Sequence, residues 1–362
     1  MNGRKNMGKI LMKGNEAIGE AAIRAGCLNY FAYPITPQSE VSEYLSHRMP
    51  EAGGVFLQGE SEVAVGYMVF GAAACGERVF TTSSSPGISL MSEAISYIAG
   101  AQCPAVFVNI MRGGPGLGGI LPSQADYFQA TKGGGHGDYR LLVMAPASVQ
   151  EAVEMVMMAF PLAEKYRNPV MILGDGLIGQ MMEPVEFPEN LKSEPSNKDD
   201  WATTGMDKRK SKKKNIVKSL FLDPVVLNNN NLTLKEKYNR MKREDVMWES
   251  YNTENDYRLL IVSYGTMSRV CKTAVDNLKG EGIEVGMIRP KTLFPFPEKA
   301  VLEAASKKGC EMALSIEMSM GQMVEDVERS VRGRCPVEWY GSCGGNVPTP
   351  EEIMDVVRSY LS

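Results

Sequence analysis

The chain has 362 residues, a hydrophobic content of 44%, a charged content of 23% and a formal net charge of −4. These values are typical of a soluble globular protein with room for two domains. The charge balance and the lack of a basic patch interleaved with aromatic residues predict no nucleic-acid binding. No apolar run approaches the roughly 18 residues of a membrane span, and the polar start from Met1 to Lys13 lacks the apolar segment of a signal peptide. We therefore expect a cytoplasmic protein that makes no membrane contact.

The cysteines and histidines exclude several kinds of site. The seven cysteines form no CxxC pair, which argues against a disulfide framework, a zinc ribbon or an iron–sulfur cluster held by this chain alone. His47 and His136 are the only histidines, so a multi-histidine metal site is impossible and a Ser-His-Asp triad has at most two candidate bases. We expect no metal ligands on this chain.

The first half of the chain alternates between apolar strand-like runs and helical patterns, from Gly14 to about Ile178. This alternation predicts an α/β fold, with a parallel sheet covered by helices on both faces and ligands at its carboxyl edge. The expected strands are Asn29–Tyr33, Gly54–Gln58, Arg78–Thr82, Ala105–Ile110, Arg140–Met144 and Pro169–Leu173. The expected helices are Glu16–Ala25, Gln38–His47, Glu62–Cys75, Ile88–Ala99 and Val149–Lys165.

The alternation of strand-like and helical patterns is interrupted from about Met182 to Asp256. The basic run from Lys208 to Lys214 predicts a solvated segment rather than an interaction site. Thr233 and Glu236 fit a capping box, which would begin a helix there. Roughly helical spacing then continues through apolar positions and predicts one helix packed on a neighbour. Those positions are Leu234, Tyr238, Met241 and Trp248.

A second α/β unit begins near Tyr257. Thr349 is the expected N-cap of its last helix, with Pro350 at the first helical position. The expected strands are Leu259–Tyr264, Glu284–Ile288, Met312–Glu317 and Val337–Tyr340. The expected helices are Ser268–Lys279, Pro297–Lys307, Gly321–Arg332 and Pro350–Tyr360. The sequence thus predicts domains at 1–185 and 257–362, joined by a connector at 186–256.

Glu62 is the most unusual residue of the first unit, because it begins an otherwise apolar helix pattern. Apolar residues continue around every face of that helix, which predicts burial on all sides. A buried carboxylate costs several kcal/mol unless its pKa rises or a partner is supplied. A protonated acid in an apolar pocket is a suitable hydrogen-bond donor for a heterocycle nitrogen. The alternative is that Glu62 only interacts favourably with the helix dipole, and Glu60 is a competing candidate nearer solvent.

Three loops at strand ends carry further polar or glycine-rich patterns. In Tyr33-Pro34-Ile35-Thr36-Pro37 two prolines stiffen the strand exit and fix the Thr36 hydroxyl, although a simple helix cap gives the same pattern. In the loop from Arg112 to Gly119 glycines allow a ligand close to the backbone, and the arginine can grip a carboxylate; the alternative is a flexible surface loop. The loop from Thr131 to Asp138 contains His136, which is a catalyst or a structural hydrogen-bonding group.

Several runs together resemble the alpha-subunit signature of 2-oxoacid:ferredoxin oxidoreductases. The runs are Gly14-Asn15-Glu16-Ala17, Tyr33-Pro34-Ile35-Thr36-Pro37, Glu60-Ser61-Glu62, the stretch from Thr82 to Glu93, and Arg112-Gly113-Gly114-Pro115. The stretch from Gly134 to Tyr139 and the segment beginning at Trp201 look closest to the branched-chain, 2-oxoisovalerate type. The second unit is similar to the family's transketolase C-terminal-like domain, so the resemblance covers nearly the whole chain.

The resemblance implies that residues 1–185 form a pyrimidine-binding domain for thiamine diphosphate. Glu62 matches the glutamate that hydrogen-bonds the aminopyrimidine ring and promotes its imino tautomer, which prepares the cofactor to attack a 2-oxoacid carbonyl. Pro34 and Ile35 are implied to lie beside the cofactor. The cofactor acts as the electron sink after decarboxylation.

The resemblance also implies a substrate site. Thr36 and Arg112 match residues that contact the substrate, Arg112 through the carboxylate that every 2-oxoacid carries. Gly113 and Gly114 are expected to allow close approach, and His136 is expected to be a pocket or interface residue. The side chain of the substrate cannot be read from these residues.

The implied activity is CoA-acylating oxidative decarboxylation of a 2-oxoacid, with electrons passed to ferredoxin, as in 3-methyl-2-oxobutanoate dehydrogenase (ferredoxin). The resemblance implies that a beta subunit binds the diphosphate and magnesium. It also implies a gamma subunit and a ferredoxin-like subunit as partners, with the iron–sulfur clusters on partner chains. The run Gly174-Asp175-Gly176 resembles the start of the magnesium motif, but Gly179-Gln180-Met181 stands where Asn–Asn is expected. The chain is therefore expected to be catalytically incomplete alone.

Three alternatives stay open at this point. The chain could belong to a 2-oxoglutarate- or pyruvate-specific enzyme of the same family, since the sequence does not place a group for a second carboxylate. It could be a beta subunit of a dehydrogenase complex that uses lipoamide. It could also be a non-catalytic assembly module that keeps the fold.

Overall fold

The computed structural model of the chain describes residues 8–205 and 214–362. Its strands, in chain order, are β1 (Ile10–Lys13), β2 (Asn29–Ala32), β3 (Val55–Gln58), β4 (Val79–Ser83), β5 (Ala105–Met111), β6 (Leu142–Met144), β7 (Pro169–Asp175), β8 (Met182–Val185), β9 (Trp248–Tyr251), β10 (Leu259–Val262), β11 (Val285–Pro290), β12 (Thr292–Phe294), β13 (Met312–Glu317) and β14 (Val337–Gly341). Its helices are α1 (Gly14–Arg24), α2 (Ser39–Glu51), α3 (Glu62–Ala74), α4 (Ser85–Gly100), α5 (Tyr127–Lys132), α6 (Val149–Tyr166), α7 (Gly176–Gln180), α8 (Pro224–Glu244), α9 (Gly265–Gly280), α10 (Glu298–Ala305), α11 (Val324–Val331) and α12 (Pro350–Leu361).

The larger sheet has the strand order β12-β6-β7-β5-β4-β2-β3 within the described residues. All its neighbouring strands are parallel except β12, which runs antiparallel to β6. Helices α1, α2 and α6 share one buried apolar cluster with the sheet, and α3 and α4 share another. Every residue of β5 is buried, which is typical of a central parallel strand covered on both faces. The expected sheet with helices on both faces is therefore observed.

The second sheet has the order β14-β13-β10-β11-β9, and only its edge strand β9 is antiparallel. Helices α9 and α12 pack on one face in a cluster of their own. Helices α10 and α11 belong to the same apolar cluster as α3 and α4, so one continuous core joins the two α/β units. The expected capping box at the start of α12 is present: the Thr349 hydroxyl accepts from the Glu352 N–H, and the Glu352 side chain accepts from the Thr349 N–H.

Two expectations for the connector are wrong. Helix α8 begins at Pro224, because the Asp223 carboxylate accepts hydrogen bonds from the backbone at Val225 and Val226. Thr233 lies inside that helix and donates to the Asn229 carbonyl, so Thr233 and Glu236 form no capping box. The apolar spacing of the helix holds through Leu234, Tyr238 and Met241, which are buried, but Trp248 belongs to strand β9.

Some elements have no counterpart in the sequence pattern. Strands β1 and β8 form a short antiparallel pair, and α5, α7 and β12 are each too short to show a period. Strand β9, from the expected connector, joins the second sheet, and β12, from the expected second domain, joins the first. The expected domain limits at 185 and 256 stay a prediction, although these two strands cross between units.

Most of the basic run from Lys208 to Lys214 lies outside the described residues; Lys214 lies within them. Among the helices of the described part of the chain, none combines the length and apolar character needed to cross a membrane.

Candidate active site

Glu62 lies at the start of α3, at the carboxyl edge of the larger sheet. The Ser61 hydroxyl caps this helix by accepting from the Ala64 N–H at 3.2 Å, which leaves the Glu62 carboxylate free of a capping role. Glu62 is 8% exposed, and its carboxylate has no hydrogen-bond or ion-pair partner among the described residues. Glu60 is exposed, as expected from its position before the helix. Helix α3 is not buried on all sides, however, because Val63 and Tyr67 are 41% and 39% exposed.

Gly87, in the first turn of α4, lies directly against Glu62. A Cβ atom at residue 87 would lie 2.9 Å from Glu62 Oε1 and 2.1 Å from Ser83 Oγ. The missing side chain therefore lets Ser83 and Glu62 lie directly against the start of α4, and we call this close arrangement of Glu62, Ser83, Ser84 and Gly87 the cradle. The hydroxyls of Ser83 and Ser84 are buried there without a hydrogen-bond partner in the described structure. Buried polar atoms rarely lack partners, so these atoms indicate a place where a ligand supplies them.

Arg112 joins two of the loops singled out from the sequence. Its side chain is buried, with Nη1 donating to the Thr36 carbonyl at 2.9 Å and Nη2 donating to the Leu117 carbonyl at 3.1 Å. Its Nε is buried and has no partner among the described residues. Arg112 has no carboxylate neighbour in the described chain, so its charge is available to an anionic ligand.

Asp126 supports the backbone of Arg112, and the sequence pattern did not reveal it. The Ser85 hydroxyl donates to Asp126 Oδ2 at 2.6 Å and accepts from the Arg112 N–H at 3.1 Å. Asn109 donates to the same Asp126 oxygen at 2.8 Å. Burial raises the pKa of the Asp126 carboxyl, while hydrogen bonds from Ser85 and Asn109 oppose that shift. Asp126 precedes α5 but its side chain does not cap that helix. Its carboxylate instead accepts hydrogen bonds from Ser85 and Asn109.

Side chains of α1 and α7 hold the Thr36 loop in place. The Asn15 amide donates to the Pro37 carbonyl and to Glu40, each at 2.9 Å. Gln180 donates to the same two residues, at 3.1 and 2.8 Å. Asn15, from the run Gly14-Asn15-Glu16-Ala17, and Gln180, from Gly179-Gln180-Met181, thus position the Thr36 loop. Thr36 itself is exposed in this single chain.

The second α/β unit supports the glycine-rich loop. A Cβ at Gly345 would lie 2.3 Å from Leu121 Cβ, and a Cβ at Gly113 would lie 3.8 Å from Gly344 Cα. Gly114 has open space around the position of a side chain. Because residues 344 and 345 lie against this loop, its shape depends on both units.

The remaining site residues of the sequence analysis are placed differently. Pro34 is exposed and Ile35 half-buried at the rim of the Thr36 loop. His136 is exposed and lies near the far end of α4: its carbonyl accepts from Ser96, and its ring packs edge-on against Tyr97 at 5.9 Å. Ser96 is eleven residues beyond Ser85, about 16 Å along the helix. His136 is therefore not brought together with Glu62 and Arg112.

Asp175 has a structural role that explains its place in the run Gly174-Asp175-Gly176. Its carboxylate accepts from the backbone N–H groups of Leu177 and Ile178 at 2.9 and 3.2 Å and so caps α7. Burial raises the pKa of this carboxyl. The helix cap explains the residue without a metal.

Comparison with known proteins identifies the family. The family model described as pyruvate flavodoxin/ferredoxin oxidoreductase, thiamine diphosphate-binding, matches residues 20–250, and that of pyruvate:ferredoxin oxidoreductase core domain II matches residues 258–353. The ketoisovalerate oxidoreductase subunit VorB of Methanothermobacter thermautotrophicus is 47% identical over 97% of this chain and 98% of its own length. The 2-oxoglutarate synthase subunit KorA of the same organism is 35% identical over 96% of this chain and 98% of its own length.

Solved structures agree with the predicted fold. A 2-oxoglutarate:ferredoxin oxidoreductase from Magnetococcus marinus, solved with 2-oxoglutarate, coenzyme A and succinyl-CoA bound, superposes with a TM-score of 0.85 at 27% identity, covering 100% of this chain and 67% of that chain. A split-gene transketolase, described as an inactive beta4 tetramer, has a TM-score of 0.58 at 15% identity, with 97% and 98% covered, and supports the fold alone. The predicted fold and family are confirmed: the chain belongs to the pyruvate flavodoxin/ferredoxin oxidoreductase family and is a subunit of a multi-subunit 2-oxoacid:ferredoxin oxidoreductase with a thiamine diphosphate-binding domain.

Proposed function

We propose that this chain supplies the pyrimidine side of a thiamine diphosphate site that it shares with a partner subunit, and that the enzyme acts on a branched-chain 2-oxoacid. The observation that carries the proposal is Glu62, a buried residue whose carboxylate has no partner among the described residues and lies directly against Gly87 at the start of α4. A carboxyl group that has no partner within the chain is free to hydrogen-bond a ring nitrogen of a bound ligand.

The residues of the cradle fit the cofactor's ring. Glu62 would hydrogen-bond a ring nitrogen, and the hydroxyls of Ser83 and Ser84 would offer partners to the polar edge of the ring. Pro34 and Ile35 cover the ring from the rim of the Thr36 loop. When bound, thiamine diphosphate supplies the electron sink for decarboxylation.

Arg112 is the proposed anchor for the substrate carboxylate. Two of its nitrogens are fixed to backbone carbonyls, so the guanidinium is already oriented before a substrate arrives, and its Nε is uncommitted. Arg112 holds the carbonyl of Thr36, and the Thr36 hydroxyl would be a second polar contact for the substrate. Gly113 and Gly114 let the substrate approach the backbone, since Gly114 has open space around it.

The branched-chain preference rests on similarity and on the character of the loop. The chain is 47–48% identical to two subunits named ketoisovalerate oxidoreductase and 33–35% identical to four named 2-oxoglutarate synthase. The loop that carries Arg112 also bears the exposed apolar side chains of Leu117, Ile120 and Leu121. An apolar loop suits a hydrocarbon side chain better than a second carboxylate.

The rest of the reaction is assigned to partner chains. A beta subunit would bind the diphosphate and magnesium, and the iron–sulfur clusters that pass electrons to ferredoxin would lie on other subunits, of gamma and ferredoxin-like type. Val63 and Tyr67 of α3 and Leu90 of α4 are exposed apolar side chains close to Glu62 in the chain or the fold, which suits contact with a neighbouring subunit. His136, beside Tyr97, fits such an interface better than the substrate pocket.

The test is a comparison of Glu62→Gln with Glu60→Gln in the complex, purified anaerobically. Turnover is measured with CoA, a viologen dye and a panel of 2-oxoacids. Loss of a positioned proton donor is expected to lower turnover at least about 100-fold in Glu62→Gln, with the subunit composition unchanged. Glu60→Gln, two residues earlier and exposed, is expected to keep normal turnover.

Each alternative predicts a different result. Normal turnover in Glu62→Gln would refute the catalytic role and leave the assembly module ahead. A preference of the wild-type complex for 2-oxoglutarate or pyruvate would contradict the branched-chain assignment while keeping the chemistry. A purified complex without thiamine diphosphate or iron would contradict the shared site and the cluster-bearing partners.

A further inference from the structure

A cavity of about 100 Å³ lies where the two α/β units meet, away from Glu62. It is lined by the C-terminal end of α5, by α8, by β12 and by α10 and α11. Four of its lining side chains are cationic and two are anionic. The cationic side chains are those of Lys132, Arg140, Lys242 and Arg329, and the anionic ones are those of Glu298 and Asp326.

The two carboxylates of the cavity are already neutralised. Asp326 accepts from Lys132 Nζ at 2.7 Å, from Arg329 at 3.0 Å and from the Tyr127 hydroxyl at 2.6 Å. Glu298 pairs with Arg329 at 3.0 Å. The negative charges of the wall are therefore matched by Lys132 and Arg329, and they leave the other two cations uncompensated.

Arg140 and Lys242 are the uncommitted cations. Among the described residues, Arg140 donates only through Nη1, to the carbonyls of Lys132 and Tyr139, and these bonds hold its guanidinium group in place. Its Nε and Nη2 have no partner among the described residues. Lys242 makes no hydrogen bond or ion pair within the described chain; its ammonium lies 5.9 Å from the Phe294 ring centroid. Structural pairing explains Lys132 and Arg329, but it does not explain these two.

Three apolar side chains complete the lining of the cavity. Leu293, Phe294 and Phe296 line the cavity, and Leu293 is buried. Arg140 is half-buried and Lys242 is exposed, so solvent screens the charge of Arg140 less than that of Lys242. Two cations that face a partly apolar cavity with net charge +2 favour a doubly charged anion.

We propose that this cavity binds one phosphate dianion, free or as a phosphomonoester group, through Arg140 and Lys242. Its volume holds about three water molecules, which suits a single tetrahedral oxyanion. A drug-sized ligand or a nucleotide needs a pocket of about 300 Å³ or more. Phosphate accepts the two uncommitted N–H groups of the arginine fork in one plane, while the lysine acts as a point charge.

Such an anion would join the first α/β unit to the connector helix, at a place where the second unit also lines the cavity. Arg140 and the end of α5 belong to the first unit, Lys242 to the connector helix α8, and Asp326 and Arg329 to α11 of the second. A phosphate held between them stabilises the assembled chain by mass action, because the unfolded chain does not bring these residues together. The site does not depend on the reaction proposed above.

The test is isothermal titration calorimetry of the purified complex with sodium phosphate, and separately with glycerol phosphate, at constant ionic strength. We expect one phosphate per copy of this chain. Lys242→Met is expected to weaken binding about fivefold to tenfold, and Lys242→Arg to restore it. Lys235→Met is the matched control, since Lys235 is exposed on the same face of α8, about 10 Å away, and is expected to leave binding unchanged.

The two ligands identify the source of the group. Equal affinity for both means that the phosphate group alone is recognised, whereas tighter binding of glycerol phosphate means that the natural ligand is an ester. The proposal is overturned if neither ligand binds in a one-to-one ratio. It is also overturned if Lys235→Met weakens binding as much as Lys242→Met, because the attraction would then be diffuse charge and not a site.

Discussion

Gly87→Ala is the sharpest test of the cradle beside Glu62. The new methyl group would lie 2.1 Å from Ser83 Oγ, 2.9 Å from Glu62 Oε1 and 3.1 Å from Glu62 Cγ, so at least one of these side chains must move. Overpacking of this kind costs about 1–3 kcal/mol, while the higher helix propensity of alanine returns up to about 1 kcal/mol. We expect Gly87→Ala to be destabilised by about 0–2 kcal/mol overall.

The effect on the cofactor is expected to be larger than the effect on stability. In the proposed site a displaced Glu62 carboxyl would lose its hydrogen bond to the ring, and a hydrogen bond to a charged or polarised group contributes about 1.5–3 kcal/mol. That loss corresponds to a dissociation constant for thiamine diphosphate raised about 10- to 100-fold. Calorimetric titration of the cofactor-free complex, with magnesium present, measures it directly.

Gly71→Ala provides the control for that substitution. Gly71 lies in the middle of α3, with nothing within 4 Å of the position of a Cβ, so the same substitution adds helix propensity without a clash. It is expected to stabilise the chain by up to about 1 kcal/mol and to leave cofactor affinity unchanged. If Gly87→Ala binds thiamine diphosphate as tightly as Gly71→Ala does, the cradle is not where the cofactor's ring lies.

Two further predictions concern buried ion pairs. Arg78→Met removes the partner that lies 2.6 Å from the largely buried Glu164, and it is expected to lower the free energy of unfolding by about 3–5 kcal/mol in urea denaturation. Lys299→Met breaks an exposed pair and is expected to change the free energy of unfolding by less than about 1 kcal/mol; equal effects of the two substitutions would contradict the reasoning. Burial alone raises the pKa of Glu151, but the hydrogen bonds and charge of Arg289 lower it to about 2. The stabilisation is therefore complete above the unfolded pKa of about 4.3 and is lost as the pH falls towards 2, so urea midpoints at pH 5 and pH 3 are expected to differ less in Glu151→Gln than in the wild type; an unchanged difference would refute the assignment.

The fold was largely predictable from the sequence because its long elements have clear periods. Strand β5 and helix α6, for example, begin at the expected residues, Ala105 and Val149. The start of α8 was not predictable in this way, because two local caps compete in the same stretch. Asp223 caps the observed helix, and Thr233, which fits the pattern equally well, lies ten residues further inside it.

The proximity of the candidate site residues was predictable from the sequence, whereas the residues that support them were not. Glu62, Arg112 and Thr36 follow strands whose carboxyl ends share one edge, so the order of elements alone brings them together. Asp126 could not be found, because its role depends on Ser85 and Asn109, which lie on other elements. The same limit applies to the phosphate cavity, whose cations come from distant parts of the chain and lie in no motif.

The unpaired polar atoms give a physical reason for the position of the site. Among the described residues, five of the eleven buried side-chain atoms without partners lie at or beside the carboxyl ends of β2, β4 and β5: Gln38 Nε2, Ser83 Oγ, Ser84 Oγ, Asn109 Oδ1 and Arg112 Nε. Each such atom costs about 1–3 kcal/mol, and folded proteins normally keep very few. A core selected for stability alone would pair or replace these five atoms. A ligand that supplies partners removes this cost only in the folded state, so cofactor and substrate are expected to bind there and to stabilise the chain, by about 2.7 kcal/mol at a ligand concentration 100 times the dissociation constant.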